Sequence, residues 1–198
     1  MCIRDRRITD QRYAGEMEKF ELALRMIGHE ARTGTIRACT GFTEDRVRKL
    51  FNSYFVGPDG LTVRRRRGKT PRQIEHFVRN SQRQAEATLL GCLFVYCGAT
   101  RMDTRGGCTV ASGLDRLAIG QRLCQAFETY LSLSGDPALS FEWAWNLYYA
   151  LVESRELFFA RCDACSAAYV QDRYALDYQR CPSCDLKRRS DAVRATCD

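Results

Sequence analysis

Apolar residues recur at steps of three and four along most of this chain, and breakers divide the recurrence into separate helices. Over residues 9–32, Met17, Phe20, Leu24 and Ile27 form one stripe, while Glu16, Glu18, Lys19, Glu21 and Arg25 fill the other sides. That pattern predicts an amphipathic helix. Gly28 and Gly34 interrupt it, a short helix or turn includes Ile36 and Ala38, and Thr40-Gly41 marks a turn. The next helix, 43–55, is signalled clearly. Thr43 can cap it, Glu44 and Asp45 occupy the first turn where the dipole favours negative charge, and Val47, Leu50, Phe51 and Tyr54 follow at helical spacing. Gly57-Pro58-Asp59-Gly60 ends it.

After a linker over 61–70, Thr70-Pro71 predicts a helix start, with Pro at its favoured first position. This helix is expected to run to about Cys97 and to bury its wholly apolar half, Leu89–Cys97. Gly98–Gly113 reads as a loop. Leu114–Leu133 reads as a long helix with Leu117, Cys124, Phe127 and Leu131 inside. After Gly135-Asp136-Pro137, Ser140 to about Phe158 reads as another, with Trp143, Leu147, Ala150, Leu151 and Leu157 available to a core. From 160 onward the pattern changes. Tyr174, Leu176 and Tyr178 alternate as in a half-buried strand, Gln171-Asp172 could turn a hairpin, and the last dozen residues are polar and expected to fray.

These elements predict a mainly α protein. A helical domain would carry a helix-turn-helix-like N-terminal part and a small C-terminal zinc-ribbon-like segment. The expected divisions are N-terminal helices over 1–60, a basic linker over 61–70, a helical core over 71–159, a four-cysteine segment over 160–186 and a flexible basic tail over 187–198.

Composition narrows the class. The 198 residues are long enough to bury a real core and are 45% hydrophobic and 28% charged, an ordinary globular balance. The longest uncharged stretch, Ala87 to Thr100, is shorter than the roughly 18–20 apolar residues of a membrane span. The charged start, Met1-Cys2-Ile3-Arg4-Asp5-Arg6-Arg7, lacks a signal peptide's apolar core, so a cytoplasmic location with reduced thiols is expected. Most of the eleven cysteines then read as small buried hydrophobes.

Four cysteines differ. Cys162-x2-Cys165, fifteen residues, then Cys181-x2-Cys184 places two thiolate pairs at metal-knuckle spacing. Two such knuckles complete a tetrahedron around zinc, and Pro182 would stiffen the second. Four thiolates would leave a zinc centre with a net charge of about −2, which Arg161 and Arg180 can partly offset. A closed set of four argues for one structural Zn2+ per chain rather than a catalytic ion. Coincidental pairing and a thioredoxin-type redox pair are the alternatives; the latter needs a strand–helix setting that the pattern does not suggest.

The net charge of +7 is concentrated rather than spread. In the helix at 43–55, Arg46, Arg48, Lys49, Asn52 and Ser53 avoid the apolar stripe. With the preceding short helix and Thr-Gly turn, this resembles the second member of a helix-turn-helix, whose basic and amide side chains suit a major groove. Arg64, Arg65, Arg66, Arg67, Lys69 and Arg72 put six cations in nine residues, suited to phosphate neutralisation. Lys187, Arg188 and Arg189 add a third group. Solvated surface charge is the alternative throughout. His29 and His76 have no nucleophile at a meaningful spacing, and no phosphate-cradling loop or magnesium-binding carboxylate cluster is evident, so an enzyme and a small-molecule substrate are not expected.

The run from Ser140-Phe141-Glu142-Trp143-Ala144-Trp145 through Leu151-Val152-Glu153-Ser154 to Arg161-Cys162-Asp163-Ala164-Cys165 and Cys181-Pro182-Ser183-Cys184 resembles the FlhC family of bacterial flagellar transcriptional activators. Thr40-Gly41-Phe42-Thr43 leading into Arg46-Val47-Arg48-Lys49-Leu50-Phe51 is similar too, so the resemblance spans most of 15–189. It implies a hetero-oligomer with an FlhD-type subunit, binding promoter DNA upstream of flagellar operons and recruiting RNA polymerase holoenzyme. It also implies zinc at the four cysteines, and DNA contact largely by this type of subunit. Much apolar surface on 86–97 and 141–158 is expected to be covered by the partner. The competing expectations are an RNA-binding or ribosome-associated zinc-ribbon protein, a nucleic-acid enzyme that docks through the ribbon, and a protein scaffold.

Overall fold

The N-terminal helix α1 (Ile3–Gly28) buries Leu22, Ala23, Met26 and Ile27. The buried stripe is thus displaced from the predicted one: of the four expected residues only Ile27 is buried, and Met17 is 40% exposed. Phe20 instead meets Tyr54 edge-on at 5.6 Å. The computed structural model describes residues 3–57, 60–61, 63–66, 68, 72–176 and 180–195, with side chains for 12–57, 63–66, 68, 72–176 and 180–188. Among the described residues there are eight helices and three two-stranded hairpins, so the protein is mainly helical. No helix among them is long and apolar enough to cross a membrane.

Two compact units are present, Met1–Thr70 with Leu114–Cys124, and Pro71–Gly113 with Gln125–Asp198. In the first, α1, α2 (Thr33–Thr40) and α3 (Glu44–Tyr54) all pack against one another. Gly41, at φ +73, ends α2 by donating its N–H to the Arg37 carbonyl at 2.9 Å. A side chain would be strained in that left-handed conformation. Thr40 Oγ1 donates to the Ile36 carbonyl at 2.8 Å and accepts the Phe42 N–H at 3.2 Å. Thr43 Oγ1 then accepts the Arg46 N–H at 3.3 Å and starts α3 as the sequence predicts. Val47, Leu50 and Phe51 face inward; Tyr54 is largely exposed. Of the breakers beyond α3, Gly57 and Gly60 pair with each other where β1 (Val56–Gly57) meets β2 (Gly60–Leu61); Pro58 and Asp59 lie outside the described residues. Within α6 (Arg116–Leu133), Gly120 allows close approach: a Cβ there would lie 2.8 Å from Leu22 Cδ2 and 2.9 Å from Cys39 Cβ.

The second unit is built around α5 (Ser81–Tyr96), which contacts α4 (Glu75–Val78), α7 (Phe141–Val152), α8 (Pro182–Ala195), β3 (Thr100–Met102) and β6 (Ala168–Asp172). The single helix expected over 71–97 is two. Asn80 adopts extended φ/ψ and its Oδ1 accepts the Arg83 N–H at 2.8 Å, capping α5 and breaking the path from α4. Thr70 and Pro71 lie outside the described residues. Ala87, Leu90, Leu93 and Phe94 are buried along α5, with Leu147 and Leu151 of α7 and Leu157 and Val170 of the last hairpin. On α6, Leu123 and the expected Cys124 are buried in the part that belongs to the first unit; in the part that belongs to the second, Ala126, Tyr130 and the expected Phe127 are buried and Leu131 is exposed.

Three further elements differ from expectation. Gly98–Gly113 contains a hairpin, β3 with β4 (Cys108–Val110). The helix expected to reach Phe158 stops at Val152, and Leu157 and Phe158 lie in β5 (Leu157–Arg161), antiparallel to β6. Gln171 and Asp172 are within β6 rather than in a turn. Tyr174 and Leu176 are 75% and 99% exposed, so they do not make a half-buried strand; Tyr178 lies outside the described residues. Where polar composition predicts a frayed end, α8 continues through Ala195.

Gly106 joins two of the hairpins. Its carbonyl accepts the Phe159 N–H at 2.8 Å. Its φ is +78, and a Cβ there would fall 1.8 Å from the Phe159 carbonyl oxygen. Gly106→Ala is therefore expected to destabilise by about 3–5 kcal/mol, combining left-handed strain with a backbone clash. Chemical denaturation should show a lower midpoint with little change of slope.

Candidate metal centre and basic surfaces

The first cysteine pair sits at the tip of the β5–β6 hairpin. Cys162 follows β5, its N–H donates to the Ala167 carbonyl at 3.0 Å, and the Ser166 N–H returns to the Cys162 carbonyl at 2.8 Å. Ser166 takes φ +59 to close this tight loop. The second pair sits at the start of α8. Asp185 N–H donates to the Cys181 carbonyl at 3.0 Å, so Cys181 occupies the cap, Pro182 the first helical position and Cys184 the first turn. A helix N-terminus stabilises negative sulfur.

The core holds both supports. Gln84 Nε2 donates to the Val170 carbonyl at 3.0 Å, and Thr88 Oγ1 accepts the Val170 N–H at 3.0 Å. These two α5 side chains satisfy both backbone groups of Val170 in β6. Ser81 Oγ donates to Asp185 Oδ2 at 2.8 Å and ties α8 to the start of α5. Ala160, Cys162, Tyr169 and Cys181 form one buried cluster, with Phe158 and Cys184 packed against it.

The four sulfurs of Cys162, Cys165, Cys181 and Cys184 lie within 4.8 Å of one another, and Cys165 Sγ is 3.7 Å from Cys181 Sγ. A tetrahedron of thiolates with metal–sulfur bonds near 2.3 Å has edges of about 3.8 Å. The four cysteines could therefore hold a metal ion, with sulfur donors that favour a soft or borderline one. Their protonation follows the same geometry. Backbone N–H groups, first that of Cys181 and then those of Cys165 and Ala164, bring the Cys162 thiol down to about 6. Cys184 is pushed up to about 12, chiefly by the neighbouring Cys165 and Cys181 sulfurs. Burial pushes Cys181 up. One negative charge is well accommodated among the four; further ionisation calls for a cation. Arg161 and Arg180 are exposed, and Arg161 Nη1 donates to the Ser166 carbonyl at 3.4 Å.

Of the other cysteines, Cys39, Cys97, Cys108 and Cys124 are buried, Cys92 is exposed, and Cys2 and Cys197 lie outside the described residues.

The basic residues fall in both units. On α3, Arg46, Arg48, Lys49, Asn52 and Ser53 are exposed. Arg46 stacks 3.8 Å from the Phe42 ring centroid and pairs with Glu16 at 2.9 Å; Arg48 pairs with Asp45 one turn earlier. In the same unit Arg64 is exposed, Arg65 lies 5.8 Å from the Phe51 ring centroid, and Arg66 pairs with Glu30 at 2.7 Å. In the second unit Arg72 lies 5.2 Å from the Tyr149 ring centroid, and Lys187 and Arg188 are exposed on α8. Arg67, Lys69 and the Arg189 side chain lie outside the described residues.

Sequence reasoning overlooked Arg32 and Arg37. Together with Arg48, Arg65 and Arg66 they line a pocket of about 520 Å³. Neither belongs to a run of charge, and only the fold of α2 against α3 gathers them.

His76 stacks on Trp143 with ring centroids 3.6 Å apart and planes within 4°. Arg83 Nη1 lies 3.1 Å from His76 Nε2 and donates to the Ala138 carbonyl at 2.8 Å. An arginine can only donate, so this contact suits the neutral ring. Burial first, then Arg83 and Arg79, hold the His76 pKa below its usual 6.5. The folded state thus binds this proton less readily than the unfolded chain. The stabilisation is complete above about pH 6.5 and is lost as pH falls through the lowered value. Melting temperatures between pH 7.5 and 5 should fall more steeply for wild type than for His76→Gln.

No protein-family model matches the chain, and no curated protein matches it.

Proposed function

We propose that the chain is a cytoplasmic, zinc-containing DNA-binding subunit of the FlhC type, activating transcription of flagellar operons in a hetero-oligomer with an FlhD-type subunit. The observation that carries the reading is α3. It follows α2 across the three residues Gly41-Phe42-Thr43, packs on α1 and α2, and keeps Arg46, Arg48, Lys49 and Asn52 exposed. In this reading α2 and α3 act as a helix-turn-helix. Arginine and asparagine on its second helix can reach base edges, and the lysine can reach phosphates. Arg64–Arg67, Lys69 and Arg72 add phosphate contacts, as do Lys187, Arg188 and Arg189.

The four-cysteine segment supports the reading as a structural zinc site. Cys162, Cys165, Cys181 and Cys184 would hold Zn2+ with no open position, leaving it to cross-link the β5–β6 hairpin to α8. The role is binding and recruitment of RNA polymerase, with no catalytic step assigned.

Co-expression with an FlhD-type subunit and titration against DNA upstream of a flagellar operon, with structured RNA as competitor, tests this. Co-purification and preference for the DNA are expected. Preference for RNA would favour the RNA-binding or ribosome-associated alternative and overturn the proposal.

A further inference from the structure

The basic pocket in the first unit has a composition that fold maintenance does not require. Five arginines, Arg32, Arg37, Arg48, Arg65 and Arg66, line about 520 Å³ of concave space with one acidic residue, Glu44. Two more acids lie close by: Glu30 pairs with Arg66, and Asp45 pairs with Arg48. Even with all three acids counted against the five cations, the pocket stays positive. The pair at Arg48 is well exposed, so a stronger anion can replace Asp45 at little cost.

Thr33 and Gly34, which open α2, also line the pocket, and the first turn of α2 holds no acidic residue. Their N–H groups have no intrahelical acceptor, which adds to the preference for an anion. Gly68, at φ +94, lets the backbone lie beside the Arg32 guanidinium; a Cβ at Gly68 would be 3.6 Å from Arg32 Nη1.

We propose that this pocket binds the polyphosphate group of a free nucleotide. Guanidinium forks pair bidentately with phosphate oxygens, and five of them exceed what one phosphate can engage. The volume lies in the range of small-ligand sites, roughly 300–1,000 Å³, and is large for a single inorganic phosphate. A concave pocket also encloses a compact ligand, whereas a duplex is met by projecting side chains. Lys49 and Asn52, which project from α3, do not line it. The inference stands apart from the DNA reading, although Arg48, Arg65 and Arg66 serve both, so nucleotide and DNA should compete.

Calorimetric titration of the full chain at low salt with pyrophosphate, ATP, GTP and inorganic phosphate tests it. Saturable binding at one site is expected for ATP or GTP and for pyrophosphate, about tenfold or more tighter than for inorganic phosphate. Arg37→Glu and Arg32→Ala should each weaken it by about tenfold or more. Arg37 is exposed, so its substitution keeps the test readable if Arg32→Ala does not fold. Lys49→Ala with Asn52→Ala should leave nucleotide binding within twofold while weakening DNA, which separates the two readings. No saturable nucleotide binding, equal affinity for inorganic phosphate, or unchanged affinity in Arg37→Glu would overturn the proposal. So would binding confined to duplex DNA.

Discussion

Removing the proposed metal with a strong chelator is expected to unfold the hairpin tip and α8 and to lower the melting temperature sharply. The β5–β6 loop and the start of α8 are joined at four sulfurs within 4.8 Å, and in the metal-free chain Cys181 and Cys184 hold their protons. Structural zinc contributes of order 10 kcal/mol of apparent folding free energy in small domains. Here α5 also supports the segment through Ser81, Gln84 and Thr88, so the second unit should keep its core while α8 loses helicity. Cys181→Ser should reproduce the loss. Because Cys184 is pushed up to about 12 and Cys181 also upward, metal must displace protons, and its affinity should rise with pH and fail on acidification. Circular dichroism and elemental analysis check this together, with about one zinc per chain expected before chelation. Metal-free protein with an unchanged melt would contradict it.

The second large effect belongs to α3. Replacing Arg46, Arg48 and Lys49 together with Ala should weaken duplex DNA binding by about a hundredfold or more, at roughly 1 kcal/mol per lost contact. Arg46 also stacks on Phe42, an interaction contributing about 0.5–1 kcal/mol, and its exposed pair with Glu16 adds little. The variant should therefore stay folded, as a thermal melt can verify. Unchanged DNA affinity in a folded variant would favour a scaffold whose arginines only aid solubility.

What the sequence made legible was whatever carried its own chemistry locally. The Thr43 cap, the acids of the first turn and the inward Val47, Leu50 and Phe51 placed α3 within a residue at each end. The paired cysteines announced their own convergence. Other features depended on partners distant in sequence. Asn80 looks like an ordinary polar residue until its side chain caps α5. The three-residue strands β3 and β4 are too short to show alternation, and Gly106 acquires meaning only from Phe159. Leu157 lies at helical spacing from Ala150, in phase with the α7 stripe, so the polar Glu153-Ser154-Arg155-Glu156 between them reads as one exposed turn although the helix ends before it. The α1 stripe moved because Leu22, Ala23 and Met26 share their surface with Ile27 at helical spacing. Arg32 and Arg37 form no motif, and a charge cluster assembled by folding leaves no linear signature.

DNA binding through α3, as proposed, is tested most directly by its salt dependence. Fluorescence anisotropy of a labelled duplex from upstream of a flagellar operon should be followed with the co-purified complex between about 50 and 200 mM salt. A steep negative slope of log K against log salt is predicted, and the Arg46, Arg48 and Lys49 replacement should flatten it by at least about 1, the share of the phosphate-contacting Lys49. A wild-type complex that does not bind the duplex at low salt, or a slope that the replacement leaves unchanged, would contradict the account.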